Sequence, residues 1–213
     1  YDNNKRTLPW RISQKSKKRH YYRILSEYML QQTQVNTVIP YFKNFVKRIP
    51  NLKLMSLSKE KTVLKLWEGL GYYRRVKNLH KTSKILVKKY KGQIPKSFEK
   101  LKELPGVGDY TANVLLALIY NQPRIALDGN VKRVLSRLFN IEAENAINLF
   151  KTKRNGDLAE ALMEFGALIC RPKDPRCNEC KIKKSCAYFA SESKIKFKRK
   201  IKVYTKSTMF FVL

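Results

Sequence analysis

All four cysteines of this chain lie within 17 residues, and this cluster constrains the fold more than any other feature. Cys170, Cys177, Cys180 and Cys186 are spaced C-x6-C-x2-C-x5-C. Disulfides are not expected, because the polar N-terminus carries no export signal. Four thiolates this close together suit zinc or an iron–sulfur cluster. Structural zinc sites usually pair two C-x2-C knuckles and only one is present, so the spacing favours one [4Fe–4S] cluster, with zinc and free thiols as alternatives.

The rest of the chain has the hydrophobic periodicity of helices, which predicts an all-α fold. Pro40 is expected in the first turn of its helix and Ser58 as an N-cap. After residue 190 a Lys-rich stretch is predicted to be a linker, and residues 208–213 a β-strand that begins a further, β-containing domain. The predicted helices cover residues 21–35, 37–48, 59–68, 75–90, 97–104, 109–120, 130–139 and 157–169.

The charge balance predicts a polyanionic partner. The 213 residues include 46 Lys+Arg against 16 Asp+Glu, a formal net charge of +30. Basic side chains that neutralise phosphates release counterions, so nucleic acid is the favoured partner. An anionic membrane surface and simple solvation of the lysines are the alternatives. No apolar run reaches the roughly 18 residues of a membrane span, so an integral membrane protein is not expected. The lack of an export signal predicts an intracellular protein.

A glycine-rich turn lies between two predicted helices, at residues 104–108. Gly106, Val107 and Gly108 permit a tight turn, and the following helix starts with free amide groups that attract a phosphate. The segment is therefore interpreted as a helix–hairpin–helix element that binds DNA without sequence preference. An ordinary two-glycine turn is the alternative, and neither interpretation specifies any chemistry.

The order of these motifs resembles that of the helix–hairpin–helix DNA glycosylases. Three further blocks, LSEYMLQQTQV (25–35), GLGYY (69–73) and LDGNVKRVL (127–135), are similar to adenine DNA glycosylases of the MutY type. The resemblance extends from LPWR (8–11) to the last cysteine. It implies two helical subdomains with the active site between them. These are a six-helix domain at 15–124 and a [4Fe–4S] domain built from 1–14 plus 125–196, with 197–213 as linker and first strand of a further domain.

Glu27 is the candidate general acid. It shares a helix face with Ile24 and Leu30, so burial is expected to raise its pKa towards neutrality. In the resembled family this glutamate protonates adenine, which makes the base a leaving group. A surface acid at the edge of an apolar stripe is the alternative.

Asp128 and Tyr110 complete the predicted catalytic set. The position of Asp128 just before the helix at 130–139 by itself predicts that it is the N-cap of that helix. The resemblance gives it the role of the carboxylate that faces the sugar cation, as nucleophile or as electrostatic stabiliser. Tyr110 stands where related lyases of the endonuclease III type carry a Schiff-base lysine, so a monofunctional, hydrolytic glycosylase is expected. A core aromatic is the alternative for Tyr110.

The resemblance also assigns DNA-contacting residues. Gln32 and Tyr72 match positions that fill the gap left by a flipped base. The expected partner is double-stranded DNA with A opposite 8-oxoguanine or guanine, bound by a monomer in the cytoplasm or nucleoid. An endonuclease III-like glycosylase/lyase and a non-enzymatic DNA-binding module are the rival functions. Four residues match the adenine pocket: Trp10, Arg11, Leu30 and Glu160.

Overall fold

The computed structural model describes residues 1–13, 15–16, 18–146 and 152–191. Within these ranges the structure is helical and contains no β-strand, which confirms the all-α class. The strand predicted at 208–213 and the linker from residue 192 onward lie outside the described residues. The helices are α1 (Arg19–Leu30), α2 (Val35–Arg48), α3 (Leu52–Leu57), α4 (Glu60–Trp67), α5 (Arg74–Tyr90), α6 (Phe98–Lys102), α7 (Asp109–Tyr120), α8 (Gly129–Phe139), α9 (Ala143–Ala146), α10 (Asn155–Leu168) and α11 (Ala187–Ser191), with 3-10 turns at Cys177–Glu179 and Lys183–Ser185.

Three local predictions between residues 30 and 60 are wrong. Helix α1 ends at Leu30, because Gln32 turns to a φ of +58°. Helix α2 starts at Val35, so Pro40 lies beyond its first turn. Ser58 ends α3 instead of starting α4: its hydroxyl donates to the Leu54 carbonyl at 2.7 Å. The short helix α3 was not predicted, and the described part of 15–124 therefore holds seven helices rather than six.

The main hydrophobic core lies among helices α1 to α7. Its fully buried members include Tyr28 on α1, Phe42 on α2 and Trp67 on α4. A smaller core lies between α8 and α10, around Val131 and Leu135. Helix α7 joins the two, because it packs against both α1 and α10. Helix α2 buries one face, with Val38, Phe42 and Phe45, whereas the central helix α7 is buried on nearly all sides from Val114 to Ile119.

The N-terminal segment packs into the main core and also contacts α10. Leu8 and Trp10 are buried in the main core, where the Trp10 ring meets the Phe42 ring edge-on at 5.3 Å between centroids. Arg6 and Arg11 from the same segment reach Glu164 on α10. The segment thus ties α10 to the larger helical layer, while the domain boundaries themselves stay a prediction.

Among the described residues, no helix has both the length and the apolar character needed to cross a bilayer.

Candidate active site

Glu27 is a buried carboxyl on α1, with 9% of its surface exposed. Burial raises its pKa to about 7; Arg23 opposes this rise, and the charges of Glu160 and Asp128 add to it. The structure therefore confirms the predicted direction of the pKa. A carboxylic acid with this pKa still holds a proton near neutral pH, as a general acid requires.

Asp128 both caps a helix and lines the same cleft as Glu27. Its Oδ1 accepts a hydrogen bond from the Val131 amide at 2.7 Å, so the N-cap interpretation is confirmed. The half-buried side chain also borders the cleft that Glu27 lines. The positive end of α8 favours a negative charge here.

Tyr110 lies between the two carboxyl groups and the sulfur of Met163. Its hydroxyl is 4.0 Å from Met163 Sδ, which is its hydrogen-bond contact among the described residues. Burial raises its pKa, and the nearby charges of Glu27 and Asp128 raise it further. The phenol is therefore neutral at physiological pH and can act only as a hydrogen-bonding group.

The cleft has two sides, and Glu27, Tyr110 and Asp128 line both of them. One side contains the residues matched to DNA contacts, Gln32, Tyr72, Gly106 and Gly108. Val107 is 5% exposed and belongs to the core beneath the hairpin. The other side contains all four residues matched to the adenine pocket: Trp10, Arg11, Leu30 and Glu160. The fold thus brings the predicted groups together, with Val107 as a support.

The two loops that carry Gln32 and Tyr72 are strained and exposed. Gln32 has a φ of +58° and Tyr72 a φ of +49°, in the left-handed region that non-glycine residues seldom occupy. Tyr72 is 60% exposed. Such conformations persist only where the surrounding structure holds them, and they are frequent at functional sites.

Arg75, which the sequence analysis missed, holds both loops. Its guanidinium lies between the rings of Trp67 and Tyr72, at 5.3 and 5.2 Å from their centroids. No pattern in the sequence marks this residue, because three of its five carbonyl partners lie more than 40 residues away. It donates hydrogen bonds to five backbone carbonyls, at Tyr28, Met29, Gln31, Leu70 and Gly71.

The hairpin at 104–108 is anchored to α1 and α5. The hydroxyls of Tyr28 and Thr82 both donate to the Pro105 carbonyl, the latter at 3.1 Å. Gly106 has a φ of +80°, and a β-carbon there would lie 3.0 Å from the Tyr28 ring. Gly108, the N-cap of α7, has no atom within 4 Å of such a position and no capping side chain. The first amides of α7 are therefore open to an incoming phosphate.

A network of arginine and glutamate side chains forms the back of the side that contains Trp10, Arg11, Leu30 and Glu160. Glu160 accepts hydrogen bonds from Arg23 and from Arg11, the latter at 3.1 Å. Glu164 pairs with Arg6 at 2.7 Å and with Arg11 at 3.0 Å. Burial alone would raise the pKa of each glutamate, but the arginines hold both below their usual range. Arg23 was also missed, although it precedes Glu27 by one turn on the same face of α1.

The four cysteines line one cavity between α8, α10 and the two 3-10 turns. None of the four forms a disulfide, and Arg137 Nη1 lies 3.5 Å from Cys170 Sγ. Burial raises the pKa of Cys177, and the neighbouring Cys170, Cys180 and Cys186 raise it further. Among the described residues no three donors stand in metal-binding positions. The donor set fits a four-thiolate cluster in kind and number, and the cluster itself stays a prediction.

With this geometry established, comparison with known proteins identifies the family. Residues 25–155 match the HhH-GPD superfamily of base excision DNA repair proteins. The chain belongs to this family. The match includes Glu27, the hairpin and Asp128, and it ends before the cysteines.

Curated relatives from a bacterium, a yeast and humans are named adenine DNA glycosylase. The protein from Buchnera aphidicola subsp. Baizongia pistaciae is 43% identical over 192 residues, which cover 85% of this chain and 54% of that protein. The Schizosaccharomyces pombe protein is 36% identical and the alignment covers 92% and 49% of the two chains. The Homo sapiens protein is 36% identical, covering 87% and 37%. The chain thus spans roughly half or less of these relatives' length.

Solved structures share the fold. A thermostable thymine-DNA glycosylase superposes with a TM-score of 0.78 at 24% identity, covering 89% of this chain and 91% of that one. A trapped endonuclease III–DNA covalent intermediate gives a TM-score of 0.71 at 21% identity, covering 85% and 89%. At these identities the likeness concerns the helical architecture alone.

Proposed function

We propose that this chain is the catalytic part of a monofunctional adenine DNA glycosylase, which removes adenine paired with 8-oxoguanine or guanine. The observation that carries the proposal is the cleft in which Glu27, with its pKa of about 7, meets the helix-capping carboxylate of Asp128. The adenine DNA glycosylase relatives support the choice of base.

Binding is expected to start at the phosphate backbone. The open amides at the start of α7 and the net charge of +30 suit a duplex partner. Gln32 and Tyr72 project from their strained loops beside the cleft, where they would fill the space that a flipped nucleotide leaves. We therefore expect a protein that binds DNA as a monomer wherever genomic DNA is present in the cell.

Glu27 would then protonate the flipped adenine. A neutral base leaves the sugar far more easily than an anion, and general acid catalysis typically supplies about 10²–10⁴-fold in rate. As the bond to the sugar breaks, positive charge develops on the ring, and Asp128 would stabilise it. Water completes hydrolysis of the N-glycosidic bond.

The cleft supports hydrolysis without strand cleavage. Among the described residues, neither side of the cleft includes a lysine that would form a Schiff base. Lys132, close to Asp128 in sequence, pairs with Glu144 at 2.6 Å. Tyr110 lies in the cleft, and a phenol forms no imine.

The cysteine cavity has a supporting role in this proposal. A [4Fe–4S] cluster would be held by Cys170, Cys177, Cys180 and Cys186. It would fix the position of the loop at 171–176 relative to α8 and α10. Bound iron and sulfide, about four of each per chain, would support this cluster over zinc.

One experiment tests the function against its rivals. The chain is incubated with duplexes that carry A opposite 8-oxoguanine, A opposite T, or an oxidised pyrimidine, and half of each sample is treated with alkali. The proposal predicts adenine release from the first duplex and nicking only after alkali. Nicking without alkali, or release of the damaged pyrimidine, would support an endonuclease III-like lyase. Binding without any base release would support a DNA-binding module.

A further inference from the structure

Arg23 is a buried cation one helical turn before Glu27. It is 7% exposed, and its Nη1 donates to Glu160 Oε1. Its Nε is buried without a hydrogen-bond partner among the described residues. A buried guanidinium is costly unless neighbouring carboxylates compensate it, so its presence beside the acid calls for a reason.

Positively charged side chains compensate Glu27 less than they compensate its neighbour Glu160. Glu27 is faced by Arg23 on its own helix, by Glu160 on α10, by Asp128 before α8 and by Tyr110 on α7. Arg23 is the cation that opposes the effect of burial on Glu27.

Glu160, in contrast, is held from several directions. Besides Arg23 it accepts from Arg11 at 3.1 Å and from the Tyr1 hydroxyl. Two carboxyl groups thus share Arg23, but only Glu160 receives a direct hydrogen bond from it.

We propose that Arg23 is a positioning residue that gives two neighbouring carboxyl groups different roles. By pairing with Glu160 it keeps that group ionised, and its charge limits how firmly the nearby Glu27 holds its proton, so that Glu27 can give this proton to a base. The inference rests on the proposed function, because the division matters when a base lies between the two groups.

With Glu160 ionised and Glu27 protonated, the two sides of the pocket differ in the hydrogen bonds that they offer. An ionised carboxylate can only accept hydrogen bonds, whereas a carboxylic acid also donates one. Glu160 then offers acceptors to a bound base, and Glu27 offers the proton that the leaving group needs. If the proton moved to Glu160, Glu27 would become an anion with nothing to donate.

The direct test is a ¹³C NMR titration of the Glu27 carboxyl, assigned by its loss in Glu27→Gln. Removal of an opposite charge that acts directly on a carboxyl group moves its pKa by about 1 unit or more. In Arg23→Met the titration midpoint of Glu27 should therefore rise by at least about one pH unit, while Arg23→Lys should stay close to wild type. An unchanged midpoint in Arg23→Met, or an equal rise in Arg23→Lys, would overturn the proposal.

A second pair of variants covers the case in which Arg23→Met does not fold. Glu160→Gln removes a neighbouring anion and should lower the Glu27 midpoint. Arg23→Met combined with Glu160→Gln removes the ion pair as a whole, so the midpoint should return towards that of wild type. If Glu160→Gln leaves the midpoint where it was, Arg23 does not act through this pair and the proposal is wrong.

Adenine release keeps this test separate from that of the function itself. In the single-turnover pH profile, the limb that falls at high pH should move upward in Arg23→Met by the amount that NMR measures. A limb that stays in place while the NMR midpoint moves would contradict the positioning role. Wild-type protein that releases no adenine at any pH would contradict the proposed function, and the NMR titration would still decide the role of Arg23.

Discussion

Glu27→Gln should stabilise the protein at alkaline pH while it removes base release. In the folded chain burial raises the Glu27 pKa from 4.5 to about 7. Between these two values the unfolded chain loses its proton and the folded chain keeps it. The free energy of unfolding therefore falls as pH rises through this window, and glutamine abolishes the effect.

The size of the effect follows from the pKa difference of about 2.5. At about 1.4 kcal/mol per pKa unit, the full penalty is about 3 kcal/mol above pH 7. At pH 5 most of this penalty is absent, because this pH lies only slightly above the unfolded pKa of 4.5. The stability advantage of Glu27→Gln over wild type should thus grow by about 2–3 kcal/mol between pH 5 and pH 8.

Urea denaturation of both proteins at pH 5, 6, 7 and 8 measures this difference. Glu68→Gln is the matched control, because Glu68 is an exposed glutamate at the end of α4. Its difference from wild type should stay nearly constant over the same range. A Glu27→Gln advantage that does not change with pH would refute the argument that burial holds a proton on Glu27.

Three other predictions follow from the site. Gly106→Ala should lower the free energy of unfolding by at least about 1 kcal/mol, because Gly106 has a φ of +80° and a β-carbon there would contact Tyr28. Gly108→Ala should change the free energy of unfolding by no more than about 0.5 kcal/mol and weaken duplex binding. Equal effects of the two variants on stability would contradict this. Arg75→Met should cost about 2–4 kcal/mol in urea denaturation, because five carbonyls lose a donor; a neutral result would mean that water replaces the guanidinium. Duplex affinity measured by anisotropy should fall at least about 100-fold between 50 and 200 mM salt, and a flat response would rule out phosphate-dominated binding.

Helix positions followed from the sequence where local residues set the boundaries. Helix α7 was predicted at 109–120 and is found at Asp109–Tyr120, between Gly108 and Asn121, whose φ is +54°. The predicted end of helix α1, residue 35, lies five residues beyond the observed end at Leu30. This end depends on Arg75, which donates to the carbonyls of Met29 and Gln31 from more than 40 residues away. No hydrophobic period reports such a contact.

In the candidate site, too, features set by neighbouring residues could be predicted from the sequence, whereas contacts between distant residues could not. The burial of Glu27 followed from apolar residues on its own helix face, and the cap at Asp128 followed from its place before a helix. The pairing of Arg23 with Glu160 joins residues 137 positions apart, so it required the tertiary structure. The grouping of the pocket residues came from the family resemblance, and the fold gives it a physical basis in the shared cleft.

The most direct test of the central claim is single-turnover adenine release at neutral pH from a duplex with A opposite 8-oxoguanine. Wild type, Glu27→Gln, Asp128→Asn and Tyr110→Phe are compared at saturating protein, with binding measured separately. The account predicts that Glu27→Gln binds normally and loses about 10⁴-fold or more in rate. It also predicts a severe loss for Asp128→Asn and a smaller one for Tyr110→Phe. Glu27→Gln that releases adenine at close to the wild-type rate would contradict the assignment of Glu27 as the acid.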